Sequence, residues 1–258
     1  MRWLVLGALA VVGLSSVAQA QESARKWTGC YLGGHLGGAW GQNAWSNHPG
    51  DNPVNLILIN SDFGSSQTSG WVSGVQLGCD YQIQSPLVLG VQGDFGWAGI
   101  SGDHSKTDID QPTLSPNFVT QFISGTTRIN KFATMTGRAG YASERALFYF
   151  KGGIAWSHND YDFRVTEASS LGSRSGSFTS DVGRWGWTVG AGLEYALSRS
   201  VSAYAEYNYL DFGNRMTSLA CTSASINSIP QPCGTIGNAL VDLSEQISQV
   251  KFGLNVRF

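Results

Sequence analysis

Trp71-Val72-Ser73-Gly74-Val75-Gln76-Leu77-Gly78-Cys79-Asp80-Tyr81-Gln82-Ile83-Gln84 alternates with a period of two. Its odd positions, Trp71, Val75, Leu77, Cys79, Tyr81 and Ile83 among them, are mostly apolar. Its even positions, Gly74, Gln76, Gly78, Asp80, Gln82 and Gln84, are small or polar. Successive side chains of a strand point to opposite faces, so this stretch predicts a strand with one greasy and one polar face. In a soluble sandwich the greasy face would meet a core. In a membrane barrel it would meet lipid, and the polar face would line the interior.

The pattern recurs on both sides. Leu87, Leu89, Val91, Phe95 and Trp97 alternate with Gln92 and Asp94. Phe148, Phe150, Ile154 and Trp156 alternate with Tyr149, Lys151 and Ser157. Trp187, Val189, Ala191, Leu193 and Tyr195 alternate with Gly190, Gly192 and Glu194. Val201, Ala203, Ala205, Tyr207 and Tyr209 alternate with Ser202, Glu206 and Asn208. Val250, Phe252, Leu254, Val256 and Phe258 alternate with Lys251, Asn255 and Arg257. Weaker segments at 28–41 and 129–142 bring the set to eight.

Connection lengths separate the architectures. With strands near 28–42, 70–84, 87–100, 129–142, 146–158, 185–196, 200–212 and 246–258, long and short gaps alternate strictly. The short gaps are Ser85-Pro86, 143–145 and 197–199. The long ones, about 43–69, 101–128, 159–184 and 213–245, are rich in Ser, Asn, Asp, Gly and Pro. The expected fold is all-β, an eight-stranded antiparallel up-and-down transmembrane β-barrel with short periplasmic turns and four long external loops. An even strand count returns both termini to the periplasmic side.

Aromatic placement agrees. Trp40, Trp71, Trp97, Trp156 and Trp187 fall at the long-loop ends of the greasy faces. Tyr81, Tyr141, Tyr195 and Phe258 fall at the short-turn ends. Ten residues separate Trp71 from Tyr81. At roughly 3.3 Å per residue and about 40° of tilt they span about 25 Å, the height of an apolar band between two aromatic girdles.

Composition points the same way. Charged residues are 13% of the 258, about half the usual share, while glycines number 33. A chain so short of charge is short of soluble surface. After the N-terminal segment no stretch approaches the roughly 18 apolar residues of a spanning helix, and lipid tolerates only helices and closed barrels. Residues 1–20 read as a cleaved signal peptide: Arg2, an apolar run from Trp3 to Val12, and Ala18-Gln19-Ala20 as the small-x-small cut. Residues 21–258 would form the barrel. Without Arg2, 15 basic residues face 18 acidic ones, a net charge of −3, and no basic patch suggests nucleic acid.

In order and spacing, several segments resemble the small porin-family barrels of alphaproteobacteria, often called outer-membrane immunogenic proteins and similar in fold to the OmpA transmembrane barrel. Trp27-Thr28-Gly29-Cys30-Tyr31-Leu32-Gly33 resembles the opening W-x-G-x-Y-x-G. Gly90 to Asp94 resembles G-V-E-G-D, and Gly137 to Ala142 resembles G-R-x-G-Y-A. Gly186 to Tyr195 resembles the most distinctive family segment. Glu206 to Asp211 resembles E-Y-x-Y-x-D, and Gly253 to Phe258 the closing G-x-N-x-x-F. The resemblance covers all eight expected strands. It implies an outer-membrane location among lipid and lipopolysaccharide, and recognition by the barrel-assembly machinery through Phe258. It implies no cofactor and no established transport role. Gln92 stands where the family usually has Glu, and Thr136 where it usually has Arg. Both face inward on neighbouring strands, so an acid and a base are expected to have been lost together.

The inward faces carry Asp80, Asp94, Glu194 and Glu206 against Arg138, Lys151 and Lys251. In a small barrel these would meet across the lumen, as an ion path or as a structural network filling the interior, and the network is the favoured expectation. Cys221 and Cys233 share the last long loop and are expected to close it with a disulfide. Cys30 and Cys79 lie on one face of paired strands, where a cross-strand disulfide and two buried free thiols both stand. His35, His48, His104 and His158 form no triad motif, so no catalytic or metal site is expected. Glycine runs such as Gly33-Gly34-His35-Leu36-Gly37-Gly38 precede no helical pattern and read as small inward positions or bends rather than a phosphate cradle. The leading expectation is a membrane-spanning scaffold displaying surface loops. A narrow pore for ions or small polar solutes is the alternative, with an outer-membrane enzyme and a soluble ligand-carrying barrel behind it.

Overall fold

The computed structural model describes residues 26–47, 62–110, 119–170, 172–233 and 239–258. The expected signal peptide and His48 lie outside them. Among the described residues there are nine strands: β1 (Gly29–Asn47), β2 (Asp62–Gln84), β3 (Leu87–Asp110), β4 (Val119–Ser143), β5 (Ala146–Ser169), β6 (Gly172–Ala196), β7 (Val201–Ile226), β8 (Ile229–Gln231) and β9 (Ala239–Arg257). All pair antiparallel in one sheet of order β6-β5-β4-β3-β2-β1-β9-β7-β8, and β6 also pairs with β7. That last pairing closes the long strands into a ring. The three-residue β8 is a hairpin annex on β7, turned through Asn227 and Ser228 at φ 52° and 65°.

The strands are longer than expected. β5 continues to Ser169 and β6 resumes at Gly172, so the segment 159–184 is a paired hairpin and not a long loop. β3 likewise runs to Asp110, β4 starts at Val119, β7 runs to Ile226 and β9 starts at Ala239. The reason is visible on β5. Its inward residues change from Tyr149 and Lys151 to Tyr161, Phe163 and Val165. Its outward residues change from Phe148, Phe150 and Ile154 to His158, Asp160, Asp162 and Arg164. Alternation never stops; it inverts its polarity. The wall therefore has two storeys, one greasy outside and polar inside, the other polar outside and greasy inside. The short-turn ends fall close to expectation, at Gln84/Leu87, Ser143/Ala146 and Ala196/Val201.

Candidate functional site

The interior is built from the inward positions of the lower storey. Asp80, Asp94, Arg138, Lys151, Glu194, Glu206 and Lys251 are all buried there. Arg138 lies 3.3 Å from Asp80 and 2.9 Å from Glu194. Lys251 lies 2.7 Å from Asp94 and 3.3 Å from Glu206, and Lys151 2.6 Å from Glu206. Arg257, not singled out from the sequence, completes the set at 2.7 Å from Asp80 and 3.6 Å from Glu194. It shares its face with Lys251 and Asn255, and that spacing was the available signal. Four bases thus face four acids. The two knots are joined through Tyr149, whose ring lies 4.1 Å beneath the Arg138 guanidinium and whose hydroxyl donates to Glu206 at 2.9 Å. Burying charge is costly, and only close pairing with further hydrogen bonds offsets it.

Neutral groups fill the space between. Arg138 donates to the Tyr31 hydroxyl at 2.7 Å, and Tyr31 donates to Gln92 at 2.9 Å. Gln92 donates to Gln76 at 3.1 Å, and Gln76 to Asn255 at 2.8 Å. His35 is buried with its Nε2 3.8 Å from Asp94. Two inward glycines make room for the rings: a Cβ on Gly78 would stand 2.4 Å from Tyr31, and one on Gly192 2.4 Å from Tyr149. Thr136 and Gln92 are direct cross-strand partners.

Above and below this polar zone the filling is apolar. Trp27, Val88, Ala142, Leu147, Tyr149 and Ala196 cluster at the short-turn end. Ala39, Val72, Ala98, Ile100, Ile129, Phe132, Ala155, Leu210, Phe212 and Ile247 form a second cluster over the charges. A thin polar layer follows, where Arg184 meets Glu245 at 3.2 Å and Tyr161 and Asn159 donate to the same carboxylate. Burial holds the Glu245 carboxyl above the ordinary carboxylate range, against the pull of Arg184 and the Tyr161 hydroxyl. Arg184 also bolts a seam. Pairing between β6 and β7 lapses from Thr179 to Trp187, and the guanidinium donates to Gly213 O at 3.3 Å and Leu243 O at 2.7 Å. Trp45, Ile123, Phe163, Val165, Phe178, Leu219, Val241 and Leu243 then fill the upper storey.

Outside, Trp40, Trp71, Trp97 and Trp187 are exposed where the wall changes from apolar to polar, and Trp156 stands half-buried at the same level. The exposed Trp185 joins them. Tyr81, Tyr141, Tyr195 and Phe258 are exposed at the other end. Cys30 and Cys79 are register partners with Cα atoms 3.9 Å apart, and Cys221 and Cys233 stand 5.5 Å apart; both pairs are at disulfide distance. His104, in the expected loop 101–128, lies in strand β3, and His158, at the end of the expected strand 146–158, lies within β5.

An antiparallel up-and-down ring with a greasy belt between aromatic rims and a polar filling defines a bacterial outer-membrane barrel. Residues 6–258 match the family model described as Outer membrane protein beta-barrel domain, and the chain belongs to that family. It is 28% identical to the 31 kDa outer-membrane immunogenic protein of Brucella melitensis, over 90% of this chain and 84% of the relative. It is 27% identical to the 22 kDa outer membrane protein of Rhizobium leguminosarum bv. viciae, over 76% and 71%. Among solved structures, the outer membrane protein OprG from Pseudomonas aeruginosa is similar at 11% identity and TM-score 0.39, covering 91% of this chain and 99% of that one. The protein is an outer-membrane protein.

Proposed function

We propose that the chain is an eight-stranded transmembrane barrel with a sealed lumen, a scaffold that lifts a rigid strand-built cap above the outer leaflet. One observation carries the reading: apolar clusters cross the interior below, between and above the polar layers, and the charged zone is balanced, four against four. Eight strands enclose little more than their own side chains. A pore would need a continuous wet path, and the Phe132–Ile247 layer lies across it. The cap is the part a surface partner would meet, in keeping with relatives named for their immunogenicity. We read the chain as non-enzymatic, lodged among outer-membrane lipid and lipopolysaccharide after delivery by the barrel-assembly machinery.

Accessibility on intact cells tests the arrangement. A cysteine introduced at Asp162 in the cap should react with a membrane-impermeant maleimide, and one at Leu193 in the greasy belt should not. Equal labelling of both, or labelling of Leu193 alone, would overturn the proposed span.

A further inference from the structure

We propose that His158, Asp160 and Asp181 form a binding site for a divalent transition-metal ion of the Zn²⁺ type on the outer wall of the β5–β6 hairpin. Asp160 and Asp181 are direct register partners, and His158 precedes Asp160 by two residues, so all three side chains leave the same face. One ligand atom from each lies within 4.8 Å of the others. Donors sharing one Zn²⁺ at about 2.0–2.2 Å stand within about 4.4 Å of each other, so a small side-chain rotation closes the set.

Each donor is held in place by a neighbour. His158 Nε2 already lies 3.1 Å from Asp181 Oδ1. The His158 ring packs beside the Trp156 indole, centroids 6.1 Å apart. Gly183 is the register partner of His158, so the position directly opposite the imidazole carries no side chain, and a Cβ there would stand 2.8 Å from that indole. Asn130 donates to Asp160 Oδ2, which fixes the carboxylate and leaves its other oxygen to ligate. On β4, Arg128 is opposite Asp160 and Lys131 opposite His158; the Arg128 guanidinium is drawn off to Asp162 at 3.2 Å. Two carboxylates directly opposed across a strand pair repel, and a bound cation removes that cost. One imidazole and two carboxylates suit a borderline ion; hard Ca²⁺ or Mg²⁺ would gain nothing from the nitrogen. The remaining coordination position opens to solvent.

The refolded full chain in detergent micelles, titrated with ZnCl₂ by calorimetry and tryptophan fluorescence, tests the site. One saturable equivalent is expected. His158→Ala and Asp181→Asn should each weaken binding at least tenfold, and His104→Ala should leave it unchanged. Ca²⁺ and Mg²⁺ should bind at least tenfold more weakly than Zn²⁺. Absence of saturable binding, affinity within twofold of the parent in both site variants, or equal affinity for Ca²⁺ would each overturn the proposal. Heat-shifted gel mobility verifies that every variant is folded, and His158→Gln replaces any that is not.

Discussion

Arg138 on β4 and Glu194 on β6 join across the interior, Nη2 to Oε2 at 2.9 Å, with the whole of β5 between their strands. The contact closes a chord of the ring rather than a rung of the sheet. Arg138 also holds Asp80 and Tyr31. Replacing it with Met would leave two buried carboxylates short of a partner. The expected loss is about 3–5 kcal/mol in urea unfolding, the usual result of breaking one side of a buried pair. Replacing Glu194 with Gln should cost less, since Arg138 keeps Asp80. Equal and small effects from both would show that the interior is more hydrated than the distances imply.

Gln92 and Thr136, the two positions at which the resemblance implies a lost acid and base, are register partners with Thr136 Oγ1 3.3 Å from Gln92 O. We expect Gln92→Glu and Thr136→Arg to compensate each other. In a double-mutant cycle the coupling should exceed about 1 kcal/mol; strictly additive stabilities would mean that the two positions changed independently.

The cap should loosen while the belt stays folded. Phe163 and Leu243 are buried in the upper apolar cluster. Phe163→Ala removes a ring from a packed core, at about 3–5 kcal/mol. Hydrogen exchange should rise in 119–128 and 159–184 while the amides of 146–156 stay protected. Uniform loss of protection over the whole chain would mean that the two storeys unfold as one unit.

Glu167, at the far end of β5, is buried and accepts from Gln121 at 3.1 Å. Burial raises its affinity for a proton, against Arg174 and the Gln121 hydrogen bond. A carboxyl whose folded pKa lies above its unfolded value contributes stability that is fully present below the unfolded value, near 4.3, and is lost as pH rises through the folded one. The cap should therefore loosen slightly as pH rises from below the unfolded value through the folded one, and Glu167→Gln should flatten that slope. A slope unchanged in the variant would assign the dependence to another group.

The lower storey was legible because its greasy face is outward, where Trp71, Val75 and Leu77 repeat against Gln76 and Gly78. Ring order followed from the short turns. The cap was not legible. Past Trp156 the outward residues of β5 turn polar, and a segment such as Asn159-Asp160-Tyr161-Asp162-Phe163-Arg164-Val165 carries the same period with the faces exchanged. Read for greasy outward positions alone, it passes for a loop. Composition misleads there too, since the Ser- and Gly-rich 172–180 pairs fully with β5. The acids and bases of the interior could be chosen by face, but their pairing could not. Arg138 meets Glu194 only because of ring closure and strand stagger, which no local pattern encodes.

Sealing of the lumen is tested most directly by single-channel recording of the refolded chain in a planar bilayer, with heat-shifted mobility as proof of folding. A folded barrel with no steady openings is expected, and removing the Phe132 ring by Phe132→Gly should introduce conductance by opening the apolar layer. Steady openings in the unaltered protein that change with Lys251→Gln or Glu206→Gln would contradict the sealed scaffold and make the charged zone a conduction path.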